Sequence, residues 1–328
     1  MKKIFRYDEA ILEGFKYLLS NYSDLFIIGQ GLWSPWYVGN SMKDLDKLYG
    51  KERIIDTPVS EASCTGLAVG AGLVGMKSII VHPRMDFMLY AVDPIVNQAS
   101  KWSHMFGGEN SSNVTIRAII NRGGEQGAQH SQSLHSWFAH IPGLRVVMPS
   151  TVCDARDLLI ASALSEDPVL YIDDRWLYSQ EDYLPEVKNI ELVNQKPKII
   201  ENGSDLTIVA SSYSTLLAKN AIYSLKKEGI NCELIDLRVI NPLDLDLVIN
   251  SVNKTKSLLV IDGGWSSCGL SAEIIANVVE NIDVTVLRYP PSRITLPFAP
   301  APTSSFLEKE YYPNLKDIID RVRCMHVK

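Results

Sequence analysis

Two segments of this sequence carry titratable side chains where a parallel sheet would present them to a ligand. In Asp56-Thr57-Pro58-Val59-Ser60-Glu61-Ala62-Ser63-Cys64-Thr65-Gly66 a strand pattern ends at Val59 and a helix begins near Ser60. Glu61 is thereby expected at the carboxyl edge of the sheet, the edge at which ligands bind in open α/β folds. The helix is rich in Ala, Gly and Ser, which lets another backbone or a flat ligand approach closely. A first-turn carboxylate favoured by the helix dipole is the plainer account of Glu61, and periodicity alone does not choose between them. The second segment is Asn121-Arg122-Gly123-Gly124-Glu125-Gln126-Gly127-Ala128-Gln129-His130-Ser131-Gln132, which leads on to His135, Trp137 and His140. A glycine-rich loop after a parallel strand, loaded with imidazoles, suits acid–base or oxyanion work. An exposed turn with ordinary histidines fits the same pattern.

Three other spots bear on chemistry. Met85-Asp86-Phe87 follows a strand ending at His82, so Phe87 could stack on a ligand or simply fill the core. Asp262-Gly263-Gly264-Trp265 reads as a strand-to-helix turn whose Trp265 suits an interface. Gly70-Ala71-Gly72-Leu73-Val74-Gly75 matches a dinucleotide-binding glycine pattern. That pattern should open a helix directly after a strand; here it falls at the far end of a helix, where tight packing is the expected role.

The elements that must position these residues alternate. Strand-like runs lie at 25–28, 53–59, 78–82, 114–120, 145–148 and 169–172, with helical patterns at 11–19 (Asp8 as cap), 60–74, 88–101 and 154–164. The alternation predicts βαβ units and mostly parallel sheets. From Asp173 the pattern breaks, so residues 176–198 are expected to link one α/β domain over 1–175 to a second over 199–328. The second domain should hold strands at 206–210, 232–237, 257–261 and 284–287, with helices at 215–227, 243–252 and 270–279. Its proline-rich tail should run extended until a last helix near 315–323.

A net charge of −6 over 328 residues argues against a nucleic-acid or membrane-surface role. No apolar run approaches a membrane span, and the charged first residues do not read as a signal peptide. Five scattered cysteines in no Cys-x-x-Cys pair fit a reducing cytoplasm and offer no metal framework.

Six motifs in chain order resemble one family: Thr57-Pro58-Val59-Ser60-Glu61-Ala62, Asp93-Pro94-Ile95-Val96-Asn97-Gln98-Ala99, Gln129-His130-Ser131-Gln132, Pro142-Gly143-Leu144-Arg145-Val146-Val147-Met148-Pro149, Ile261-Asp262-Gly263-Gly264-Trp265 and Ser271-Ala272-Glu273-Ile274. They look like the beta subunits of the thiamine-diphosphate-dependent decarboxylase component of pyruvate and branched-chain 2-oxoacid dehydrogenase complexes, in the transketolase-like superfamily. The resemblance implies a thiamine pyrimidine-binding domain followed by a transketolase C-terminal-like domain, both α/β with parallel sheets. It gives Glu61 the task of hydrogen-bonding a ring nitrogen of the cofactor's aminopyrimidine, which leads to the ylide that attacks a 2-oxoacid. It makes Phe87 the aromatic on the pyrimidine face, Val59 a further cofactor contact, and His130 the active-site histidine on the substrate side. Acyl transfer to a lipoyl domain would follow.

The superfamily's Gly-Asp-Gly motif for Mg²⁺ and diphosphate does not occur in the chain. The resemblance therefore implies an alpha subunit that binds Mg²⁺ and the diphosphate, an α2β2 assembly, no metal site on this chain, and in some settings a lipoyl acyltransferase partner. His82, Arg84 and His135 depart from the family's usual residues near the expected pocket. An added Arg and His suit an anionic, polar or sugar-like substrate, so half of a split transketolase-type enzyme is the alternative. A non-catalytic scaffold subunit is disfavoured by the presence of Glu61.

Overall fold

The computed structural model describes residues 3–188 and 191–326. The chain divides into two compact units, Met1–Asn121 with Trp137–Gln195, and Arg122–Ser136 with Lys196–Lys328. Each contains a largely parallel sheet. Among the described residues no helix is long and apolar enough to cross a membrane.

In the first unit the strands are β1 (Ile4–Arg6), β2 (Leu25–Gln30), β3 (Ile54–Thr57), β4 (Lys77–His82), β5 (Val114–Ile120), β6 (Arg145–Val147), β7 (Val169–Asp174) and β8 (Glu181–Tyr183). Six of them run in the spatial order β6-β7-β5-β4-β2-β3, all parallel. Every residue of β5 and β7 is buried, because a strand covered on both faces reads as a continuous apolar run. Among the polar exceptions, one buried pair stands out. Arg117, in mid-β5, donates from Nε and Nη2 to the two oxygens of Asp173 on β7, at 2.9 and 2.8 Å. The Tyr178 hydroxyl donates to the same carboxylate at 2.6 Å.

The helices of this unit follow the apolar periodicity except where local chemistry intervenes. Helix α1 (Tyr7–Asn21) is capped by Glu9, whose carboxylate accepts from the Arg6 N–H at 2.9 Å; the expected cap, Asp8, lies inside the first turn. It packs against the helix Val152–Ala163, and Gly14 permits the approach: a Cβ there would meet Leu159 at 3.3 Å and the Arg156 carbonyl at 3.4 Å. The expected helix 88–101 is instead a 3₁₀ turn (Phe87–Ala91), a π-helical turn (Pro94–Ala99) and a short α-helix (Ser100–Met105). Pro94 has no N–H to give a continuous α-helix.

The expected linker 176–198 belongs mostly to this unit. β8 pairs antiparallel with β1, and Leu177 and Leu192 are buried. Asn189 and Ile190 lie outside the described residues.

The second unit holds β9 (Lys198–Glu201), β10 (Leu206–Ala210), β11 (Cys232–Asp236), β12 (Leu258–Trp265) and β13 (Ser292–Leu296) in the order β13-β12-β10-β11-β9. All pairs are parallel except β9 with β11. Ile208, Leu234 and Leu259 pack with Ala218, Ile222, Ile318 and Val322 in one core. The expected strand 284–287 is a 3₁₀ turn capped by Asp283. The true edge strand is β13, inside the tail expected to be merely extended. Pro290, Pro291 and Pro297 flank it, and prolines at the ends of an edge strand cost no ladder bond.

Candidate active site

Helix α2 (Glu61–Leu73) follows the carboxyl end of β3 and begins at Glu61 itself, with Ser60 as cap residue. Glu61 is half-buried, at the end of the helix whose free N–H groups favour an anion. Val59, two residues earlier, is 69% exposed. Phe87 opens the 3₁₀ turn after β4 and is half-buried; that turn packs against α2. Glu61, Val59 and Phe87 all follow the carboxyl ends of β3 and β4 in the first unit.

His82 and Arg84 differ in their surroundings. His82, the last residue of β4, is buried, and its Nε2 lies 3.2 Å from Thr65 Oγ1. Burial pushes its imidazole down to about 4, so it is neutral at ordinary pH. Thr65 lies four residues after Glu61 on α2, so His82 anchors the helix that begins with Glu61 rather than lining an open cavity. Arg84 is half-buried. Burial first, then the nearby charge of Arg175, holds its guanidinium below the ordinary arginine value, partly offset by Asp86.

The glycine pattern Gly70–Gly75 falls inside and just beyond α2, with no strand before it. This removes its nicotinamide reading. Only Gly72 is tightly packed: a Cβ there would meet Ser112 at 2.8 Å, whereas a Cβ at Gly66 or Gly70 would meet nothing within 4 Å. Leu67 and Val74 are 55% and 78% exposed, so Ser63, Leu67, Gly70 and Val74 form an open, partly apolar face at helical spacing.

His130 sits in the loop 122–136, which belongs to the second unit although it follows β5 in the chain. His130 is half-buried, and its N–H donates to the Gly127 carbonyl at 3.3 Å. Five residues on, His135 is 1% exposed in its side chain, with both ring nitrogens engaged. Nε2 lies 2.9 Å from Asp262 Oδ1, and Nδ1 lies 2.9 Å from Ser133 Oγ. His135 is therefore sealed inside the second unit and does not have the open placement expected of a pocket residue. Its partner Asp262, at the end of the apolar part of β12, was legible only as a turn residue. Burial alone would raise the Asp262 carboxyl. The charge and hydrogen bond of His135, with N–H groups from Gly264 and Ser271, more than offset this and hold it below the usual carboxylate range.

Thr65 was also missed, although its spacing from Glu61 is a helical signal. Among the described residues no group of three His, Cys, Asp or Glu side chains is arranged to hold a metal ion. The half-buried carboxylate at an open helix terminus, the exposed Val59 and the Phe87 ring fit the pyrimidine half of thiamine diphosphate.

Two family models cover most of the sequence: the transketolase pyrimidine binding domain matches residues 5–180, and the transketolase C-terminal domain matches 195–318. The chain is 34% identical to the mitochondrial pyruvate dehydrogenase E1 component subunit beta of Bos taurus, over 96% of this chain and 89% of that one. It is 38% identical to the acetoin:2,6-dichlorophenolindophenol oxidoreductase subunit beta of Cupriavidus necator, over 84% and 82%. Among solved structures, the inactive beta4 tetramer of a split-gene transketolase aligns with a TM-score of 0.74 at 20% identity, covering 98% of each chain.

Proposed function

The chain belongs to the transketolase-like family of E1 beta subunits of 2-oxoacid dehydrogenases, and we propose that it carries the pyrimidine half of a thiamine-diphosphate site. In this reading it is the beta subunit of a decarboxylating 2-oxoacid dehydrogenase. An alpha subunit holds the Mg²⁺ and diphosphate half in an α2β2 assembly, and a lipoyl domain accepts the acyl group. The observation that carries the reading is Glu61, the first residue of α2 at the carboxyl edge of the sheet, within the span matched by the pyrimidine-binding model.

When bound, thiamine diphosphate supplies the carbon nucleophile and the electron sink. Glu61 would hold a proton at a ring nitrogen of the aminopyrimidine. Partial burial would strengthen that hydrogen bond. Phe87 would stack on the ring face, and Val59 would exclude water from its edge. His130 would exchange a proton with substrate-derived oxygen or carbon, and Arg84 would attract a substrate carboxylate. The open face of Ser63, Leu67, Gly70 and Val74 supports a second chain covering α2, since exposed apolar patches mark interaction sites.

The identity with the acetoin oxidoreductase subunit favours one variant: the same residues acting on a hydroxyketone such as acetoin. The likeness to split-gene transketolase speaks to the fold alone.

The test is reconstitution with candidate alpha subunits. Turnover of pyruvate, branched-chain 2-oxoacids, acetoin and sugar donors is followed with a dye acceptor and with a lipoylated domain. The expected result is no turnover by this chain alone and turnover of an oxoacid with a partner. Full activity of the single chain with thiamine diphosphate and Mg²⁺ overturns the proposal, and turnover of acetoin alone selects the variant.

A further inference from the structure

The loop that carries His130 is fastened to the second unit at four points. Glu125 and the helix α3 (Ser305–Tyr311) clasp each other: the Glu125 N–H donates to Glu308 Oε1 at 2.9 Å, and the Ser305 N–H donates to Glu125 Oε1 at 3.0 Å. At the other end of the loop, Ser136 Oγ accepts from the N–H of Leu270, first residue of the helix Leu270–Glu280, at 3.0 Å. Gly127, with a positive φ of 73°, seats the loop on Thr303, where a Cβ would approach to 3.0 Å. The remaining point, between His130 and the end of the loop, is buried: His135 Nε2 on Asp262 Oδ1 at 2.9 Å.

This last contact is built with care at both partners. Asp262 is 4% exposed and takes further N–H groups from Gly264 on Oδ1 and Ser271 on Oδ2, each at 2.9 Å. Gly264 leaves room for the imidazole, since a Cβ there would lie 3.0 Å from His135 Cε1. The acceptor on Nε2 requires that nitrogen to carry the proton, and Ser133, from the same loop, occupies Nδ1 at 2.9 Å. One imidazole thus ties the loop backbone near Ser133 to the end of β12. A buried carboxylate stripped of such a partner is costly, so the contact is kept closed rather than sampled.

We propose that His135 and Asp262 form a clasp that fixes the conformation of the loop bearing His130, which makes His135 a positioning residue for His130. The catalytic consequence rests on the role given to His130 above; the clasp itself does not. His135 acts on the reaction only through the loop, with Ser133 holding the imidazole in register and Asp262 anchoring it.

The experiment uses the full chain, first alone and then in the reconstituted enzyme. In the chain alone, amide hydrogen exchange is read by mass spectrometry across 122–136 and across the rest of the second unit. His135→Ala is expected to raise exchange in 122–136 by about tenfold to a hundredfold, the scale for losing a hydrogen bond to a charged group. His135→Gln, whose amide nitrogen can still donate to Asp262, should stay within about threefold of wild type on the same scale. No change in His135→Ala overturns the clasp. So does an increase spread evenly through the second unit, or a His135→Gln chain as loose as the alanine variant.

In the reconstituted enzyme, His135→Ala should lower kcat for the oxoacid with little change in KM, and His135→Gln should restore it. A loss of kcat that the glutamine does not restore overturns the positioning role. His130→Ala separates the two readings. If that variant turns over like wild type while His135→Ala still loosens the loop, the role of His130 fails and the clasp stands.

Discussion

A buried neutral imidazole under the helix that begins with Glu61 makes stability depend on pH in a defined window. His82 is fully enclosed, and burial lowers its proton affinity from the ordinary 6.5 to about 4. Between those two values the unfolded chain takes up a proton that the folded chain refuses, so stability is fully present above pH 6.5 and drains away as pH falls toward 4. The gap, at ~1.4 kcal/mol for each tenfold in affinity, is worth about 3 kcal/mol once both values are passed. Between pH 7 and pH 5 the loss comes to about 2 kcal/mol by the same relation. Many carboxylates titrate lower down, so the measurement is a difference. Urea unfolding of wild type and His82→Gln is compared at pH 7 and pH 5. Glutamine is neutral throughout and can still meet Thr65 Oγ1. The variant should lose about 2 kcal/mol less than wild type over this interval. Parallel losses in the two proteins would refute a neutral, desolvated His82. Because Thr65 shares a helix with Glu61, amide protection in the first turns of α2, taken relative to the intrinsic exchange rate at each pH, should fall at pH 5 in wild type alone.

Other outcomes follow from the site and the core. Glu61→Gln in the reconstituted enzyme should cut turnover by about 10²–10⁴-fold, with a matching loss in exchange of the thiazolium C2 proton; activity within a few-fold of wild type would remove Glu61 from the chemistry. His130→Ala should slow turnover by about 10²-fold or more while that proton exchange stays near wild type; equal slowing of both would mean that the two residues do not divide the work as proposed. Asp173→Ala strands the buried guanidinium of Arg117 and should cost about 3–5 kcal/mol. A urea midpoint close to wild type would show that the bidentate pair contributes little.

Much of the architecture was legible because it is local. Val114–Ile120 and Leu206–Ala210 are mainly apolar runs, broken only by Thr115, Arg117 and Thr207, and the structure ends both strands at those residues. A strand buried on both faces leaves that mark whatever it packs against. The position of Glu61 was legible for the same reason, since strand, turn and helix start lie within a dozen residues. The helix break at Pro94 and the proline-flanked strand Ser292–Leu296 were harder, because neighbours rather than periodicity decide whether such segments pair or coil. What only the tertiary structure decided is which side chains are sealed. His130 and His135 look alike in one histidine-rich loop, yet one is half-buried and the other is enclosed against Asp262, 127 residues away. His82 likewise owes its neutrality to burial against Thr65 on another element. Desolvation depends on everything that surrounds a group in space, and no spacing along the chain encodes it.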